Sequence, residues 1–154
     1  ISQNIIKITK PCKLKILCNV ITPDYEYLKK NNLKQSNLNT VLNLIYIVTI
    51  HISFNKKNQN LFSRNEFSKL KKDVIIINTS RGGIVDEQDL FNFLSKNLNA
   101  TAVFDVLKNE PPNKNKLLKL NNFLITSHIA GTTDETLQVA SIDCAKKLIK
   151  GIKS

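Results

Sequence analysis

Apolar residues follow two rhythms along this chain. In four places they run almost without a break: "IYIVTIHIS" over 45–53, "VIIIN" over 74–78, "ATAVFDV" over 100–106 and "FLITS" over 123–127. A shorter run of the same type, "LKILCNV", covers 14–20. Continuous β-branched runs predict strands covered on both faces, the habit of a parallel sheet. Between them the apolar positions recur at helical spacing. "TPDYEYLKKN" over 22–31 opens on Thr22, Pro23 and Asp24, a good helix entry, and Asp24 caps it. "LNTVLNL" over 38–44 and "NEFSKLKK" over 65–72 predict two short helices. Asp86 is placed to cap another, with Asp89 three residues on in a capping-box-like arrangement and Leu90, Phe93 and Leu94 as its apolar face. The last helix is expected to begin near Thr132, with Glu135 as the reciprocal partner. Its buried stripe would be Leu137, Ala140, Cys144, Ala145, Leu148 and Ile149, and Gly151 would end it. Strand–helix alternation of this kind predicts an α/β fold: one parallel sheet with helices on both faces, in a single domain without linker or repeat.

Composition narrows the class. The chain has 154 residues, 42% of them hydrophobic, enough for an ordinary core. No apolar run approaches a membrane span, and the first residues lack a signal-peptide pattern. The sequence contains no Met, not even at position 1, and is expected to be a fragment of a longer chain. Net charge is +11. The lysines fall in scattered pairs, Lys29-Lys30, Lys56-Lys57, Lys71-Lys72 and Lys146-Lys147, with no aromatic residues alternating to stack bases. That pattern reads as a basic surface, with no nucleic-acid partner expected. Cys12, Cys18 and Cys144 form no C-x-x-C pair and have no His at zinc spacing, so no metal site is expected. They read as free thiols packed as small apolar residues in a reducing, cytoplasmic compartment.

Candidate chemistry collects at the strand ends. In an open parallel sheet ligands bind beyond the carboxyl edge. Along that edge the sequence places Asn78-Thr79-Ser80-Arg81, then Asp105 with Glu110 close behind, then Ser127-His128, and His51 with Ser53. Arg81 offers a planar fork for a carboxylate and an adjacent carbonyl. His128 can exchange a proton near neutral pH, and a carboxylate such as Glu110 would orient it. Gly82-Gly83 allows the tight turn that would aim Arg81 into the cleft. Singly, each has a plainer reading: a surface arginine, a capping aspartate, a solvated glutamate, a structural histidine. His51 keeps the structural reading. The set at one rim carries the argument.

The segments "INTSRGGIVDEQDL", "AVFDVLKNEPP" and "LLKLNNFLITSHIAGTTDE", and more loosely "IVTIHISFNKKNQNLFSRNEFSKLKKDV", resemble the nucleotide-binding domain of the D-isomer-specific 2-hydroxyacid dehydrogenases, a group that includes D-3-phosphoglycerate dehydrogenase. The likeness covers roughly 45–150, in order. It implies a Rossmann-like, doubly wound parallel sheet over 1–154 that binds NAD, with NADP not excluded. The activity implied is hydride transfer between the nicotinamide and the 2-carbon of a D-2-hydroxy acid. By this resemblance Arg81, Glu110 and His128 would be catalytic, as carboxylate-binding arginine, partner carboxylate and acid/base. Asp105 would lie near the nicotinamide amide, and Ile1, Ser53, Thr79, Ser80, Arg81, His128, Ala130 and Gly131 would line the cofactor. The substrate implied first is 3-phosphoglycerate, a step of serine biosynthesis, with glyoxylate or hydroxypyruvate next. A homodimer through this domain is implied as well.

The departures lie at the nucleotide entry. The glycine-rich phosphate loop should precede this chain, with Ser2 where its last glycine is expected. Asn19 and Val20 stand where an acidic residue should hold the adenosine ribose. Ser53, Ser127 and Tyr46 replace two prolines and an acid. The resemblance also implies a second domain that closes over the substrate and is expected outside this chain. A second expectation follows from these losses: a regulatory, corepressor-like homologue that binds nucleotide without turnover.

Overall fold

The computed structural model describes residues 1–152. Helices α1 (Ser2–Thr9), α2 (Tyr25–Lys30), α3 (Leu38–Leu44), α4 (Arg64–Phe67), α5 (Glu87–Lys96) and α6 (Asp134–Ile152) alternate with strands β1 (Leu17–Cys18), β2 (Lys34–Gln35), β3 (Ile47–Ile50), β4 (Ile75–Asn78), β5 (Thr101–Phe104) and β6 (Phe123–Ile125). Every pairing between these strands is parallel: β1 with β2 in one small sheet, and β3-β4-β5-β6 side by side in another. The α/β class is the one the alternation predicts. No described helix is long and apolar enough to cross a membrane.

Helix starts follow local chemistry. Asp24 accepts from Tyr27 N at 2.9 Å, Asn37 from Thr40 N at 2.8 Å and Asp86 from Asp89 N at 2.9 Å, each satisfying a first-turn amide. The Asp89 carboxylate accepts from Arg64 N at 2.9 Å, tying α5 to α4, where the sequence suggested a reciprocal cap.

Register fixes which face is the core. Val48, Ile76, Ala102 and Phe123 form one row, and Ile50, Asn78, Phe104 and Ile125 the next on the same face. That face packs on Leu42 of α3, Phe67 of α4 and Leu90 and Leu94 of α5, with Leu70 and Leu117 between. Phe67 stacks on Phe93 with centroids 5.4 Å apart. The opposite face carries Ile47, Thr49, Ile75 and Leu124, all exposed, and Ile77, Thr101 and Val103, half-buried. The described helices therefore leave much of it open.

Several expected boundaries move. The run over 14–20 keeps only β1, and the runs at 45–53, 100–106 and 123–127 shorten to β3, β5 and β6. The helix expected over 65–72 is the four-residue α4. β2 pairs two polar residues that carry no strand pattern. α6 starts at Asp134, one turn held by Thr133, whose Oγ1 accepts from Thr136 N at 3.3 Å. Its expected buried stripe, Leu137 through Ile149, is exposed, Cys144 included, because no described element covers it. Gly151 lies inside the helix instead of ending it. Of the other thiols, Cys12 is exposed and Cys18 half-buried, where burial raises its pKa.

A histidine, a glutamate and an arginine around one cavity

β4 ends in a polar clamp. Asn78 is fully buried, and its Oδ1 accepts from Ser80 N at 3.1 Å and from Ser80 Oγ at 2.7 Å. Its Nδ2 donates to Arg81 O at 3.3 Å, and its main-chain O accepts from Asp105 N at 2.9 Å. Its side chain thus closes the turn after β4, and its main-chain oxygen joins that turn to the end of β5. Arg81 Nη1 donates to Ser80 O at 2.7 Å, which sets the base of the guanidinium.

The glycines that follow have separate reasons. A Cβ on Gly82 would sit 2.1 Å from Leu107 O and 2.6 Å from Lys108 N, so the Arg81 turn lies directly against the segment after β5. Gly83 takes φ +81, a left-handed conformation that L side chains avoid.

The segment after β5 holds Glu110 by its own backbone: Leu107 N donates to Glu110 Oε1 at 2.8 Å. The other carboxylate oxygen, Oε2, lies 2.7 Å from His128 Nδ1. The His128 bond first, and the Leu107 amide second, hold the Glu110 carboxyl below the usual carboxylate range. With Nδ1 protonated toward Glu110, Nε2 is the ring nitrogen left for other chemistry.

Asp105 fixes the loop that carries His128. It is 4% exposed, and it accepts from Thr126 Oγ1 in a very short bond, from Ile129 N at 2.9 Å and from Ala130 N at 2.9 Å. Burial pushes its pKa up, but the Thr126 hydroxyl and the Ala130 and Ile129 amides outweigh it and hold the carboxyl below its ordinary value. His128 itself has φ +57. A non-glycine residue there costs about 1–2 kcal/mol, which the Asp105 clasp offsets.

A pH prediction follows from that clasp. Asp105→Asn should lower stability by about 1–3 kcal/mol, because an amide NH₂ would replace one acceptor oxygen and face the Ala130 or the Ile129 N–H. The folded chain binds the Asp105 proton more weakly than the unfolded chain does. The clasp's contribution is therefore complete above the ordinary Asp range near pH 4 and is lost as pH falls through the depressed value. The stability gap between the two proteins should be constant at neutral pH and close in acid. Denaturant titrations at several pH values measure it; a gap that widens in acid contradicts the assignment.

Arg81, Glu110 and His128 line one open cavity of about 260 Å³, together with Phe54, Gly82, Leu107 and Lys108. The three residues singled out in the sequence are brought together. Asp105, expected near a cofactor, has both carboxylate oxygens engaged by the His128 loop. The Ser80 hydroxyl is likewise engaged by Asn78. Thr79 is half-buried, and Ser53, Ala130 and Gly131 are exposed along the same rim. Ile1 caps α1 without a side-chain bond. Phe54 and Lys108 were not singled out in the sequence; nothing in their local pattern marks them.

Along this rim His51 is the group whose chemistry suits a dinucleotide. His51 Nε2 lies 2.7 Å from Thr49 Oγ1, while its Nδ1 is buried without a partner among the described residues. Burial lowers the His51 pKa. An unsatisfied, buried ring nitrogen just past the end of β3 suits a ligand hydroxyl or phosphate. At the adenosine end the fit is weaker: Asn19 Nδ2 donates to Ser36 O at 2.9 Å and Val20 is exposed, so no carboxylate stands at that place. Among the described residues no three His, Cys, Asp or Glu gather to hold a metal ion.

Known proteins resemble this chain in sequence and in fold. Residues 1–130 match the family described as D-isomer specific 2-hydroxyacid dehydrogenase, NAD binding domain. The chain is 35% identical over 134 residues to a D-3-phosphoglycerate dehydrogenase of Archaeoglobus fulgidus, covering 84% of this chain and 25% of that protein. It is 34% identical over 123 residues to a glyoxylate reductase of Thermofilum pendens, covering 79% of this chain and 36% of the relative. Among solved structures it resembles apo D-lactate dehydrogenase from Escherichia coli with TM-score 0.80 and 26% identity, over 95% of this chain and 47% of that one. A D-isomer specific 2-hydroxyacid dehydrogenase from Lactobacillus delbrueckii, in its NAD-complexed form, superposes with TM-score 0.85 at 21% identity, over 97% and 49%. The chain therefore spans a quarter to a half of the length of these relatives.

Proposed function

Because the chain belongs to the D-isomer specific 2-hydroxyacid dehydrogenases, through their NAD-binding domain, we propose that it serves the interconversion of a small D-2-hydroxy acid and its 2-keto acid. Arg81 binds the substrate carboxylate and polarises the adjacent carbonyl. His128 Nε2 gives a proton to the carbonyl oxygen during reduction and takes it back during oxidation. Glu110 holds the imidazole by Nδ1, so that it keeps one orientation and presents Nε2 to the substrate. The nicotinamide, when bound, supplies or accepts the hydride. Ile1, Ser53, Thr79, Ala130 and Gly131 line the path for the dinucleotide, with Ser80 and Asp105 supporting that wall from behind; NAD is the family cofactor, and NADP is not excluded. The whole of 1–154 acts as this nucleotide domain, and a separate domain closes over the substrate. The first substrates to try are 3-phosphoglycerate and its keto form, then glyoxylate and hydroxypyruvate, for a reducing, cytoplasmic setting and a homodimeric assembly.

The observation that carries this reading is the His128–Glu110 pair at 2.7 Å on the wall of the cavity that Arg81 also lines. A second reading, a nucleotide-binding homologue without turnover, is favoured by Asn19 and Val20 at the ribose position. The two separate in one assay. The full-length protein, with the domain that closes over the substrate, is mixed with NADH and each 2-keto acid in turn, and NADH absorbance is followed. Consumption with at least one keto acid is expected. NADH binding without consumption for any of them would leave the regulatory reading.

A further inference from the structure

We propose that Lys108 is a specificity-determining residue of this cavity, selecting 2-hydroxy acids that carry a second anionic group. The inference rests on the reading of the Arg81–His128 cavity as the substrate site.

Its support is a balance of charge around one small space. Arg81, Lys108, Glu110 and His128 are the charged or titratable side chains on the cavity wall. Glu110 is already engaged by His128 and by Leu107 N. Outside the wall, Glu87 accepts from Lys108 N at 2.6 Å through one oxygen and from Asn115 Nδ2 at 2.7 Å through the other. Both carboxylates are thus committed to neutral groups or to His128. Among the described residues neither Arg81 nor the Lys108 ammonium forms an ion pair. A monoanionic hydroxy acid answers one of these two cations and leaves the other.

The backbone at Lys108 is also fixed. Its amide is tied to Glu87 on α5, and the same peptide lies against Gly82, where no Cβ would fit. The flexible stem starts from a set point on the wall, while the ammonium stays exposed to solvent and free to meet a ligand. A cavity of about 260 Å³ suits a three- or four-carbon acid, whose far end would lie near the rim while Arg81 holds its carboxylate. The second anion can be a phosphate or a carboxylate; an ammonium meets either as a point charge.

The test is equilibrium binding by calorimetry to the full chain and to Lys108→Met. Three probes are used: glycolate as the monoanion, hydroxymalonate as the dicarboxylate and a 3-phosphorylated 2-hydroxy acid. The exposed position leaves the fold intact, which thermal unfolding checks. In the native chain both dianions should bind more tightly than glycolate. In the variant that preference should fall about tenfold, and the native preference should shrink as salt rises from about 0.05 to 0.5 M. The larger loss identifies the anion Lys108 meets. Binding of all three acids with an unchanged preference in the variant overturns the role of Lys108 and leaves the site reading intact. If none of the acids binds and Arg81→Ala changes nothing, the site reading fails and this proposal falls with it.

Discussion

Replacing Gly82 by alanine should both destabilise the protein by about 3 kcal/mol and abolish any turnover. A methyl group there would stand 2.1 Å from Leu107 O and 2.3 Å from Leu107 C. Neither atom belongs to a flexible side chain that could give way. Either the Arg81 turn or the Leu107–Lys108 peptide must move. The first is pinned by Asn78, through Ser80 N, Ser80 Oγ and Arg81 O, and the second by Glu87 and Glu110. Whichever yields, Arg81 separates from Glu110. Denaturant unfolding measures the stability loss, and the NADH assay the activity. An alanine variant with the native midpoint would mean that these two segments do not meet as described.

The second large effect belongs to His128. Exchange for Asn keeps a polar side chain of similar reach but cannot carry a proton between substrate and solvent. The rate of the chemical step should drop by about 10²–10⁴. NADH affinity should stay within a few-fold, because the ring acts on the substrate oxygen and not on the dinucleotide. Single-turnover kinetics with saturating NADH separates the two quantities. A variant that binds NADH far more weakly, at an unchanged chemical rate, would assign His128 to the cofactor wall instead.

Much of this site is legible in the sequence, for a definite reason. A parallel sheet puts all its carboxyl ends on one edge, so residues far apart in sequence that follow apolar runs must converge. Arg81, Glu110 and His128 follow three such runs and line one cavity. What holds them is less legible. Asp105 reads as a rim acid because it follows a strand; its work as a clasp depends on Thr126, Ile129 and Ala130, more than twenty positions away. Asn78 is a polar residue ending a run of isoleucines, and only the folded chain shows that both its side-chain polar atoms close the Arg81 turn.

The fold divides in the same way. Apolar runs located five of the six described strands but overran their bounds. β3 stops at Ile50 because its partner strand stops at Asn78, and register is not written in either run alone. β2 has no apolar pattern to find; Lys34 and Gln35 pair only because α2 and the turn after it bring them beside β1. For α6, spacing correctly gives a helix with one apolar stripe. It cannot say what lies against that stripe, and here it faces solvent. The uncovered face of the larger sheet, with Ile47, Ile75 and Leu124, shows the same limit. Periodicity reports that a surface suits burial, while burial itself depends on whatever else is packed against it.

Glu110 and His128 act, in this account, as one unit on one proton. A double-mutant cycle on the chemical rate measures that directly. Glu110→Gln alone should slow the step about 10-fold or more, and His128→Asn alone by about 10²–10⁴. The double variant should be no slower than His128→Asn, since a carboxylate that works only through the imidazole has nothing to do once the imidazole is gone. Rate losses that multiply in the double variant would show two independent roles and would contradict the pairing on which the proposed chemistry stands.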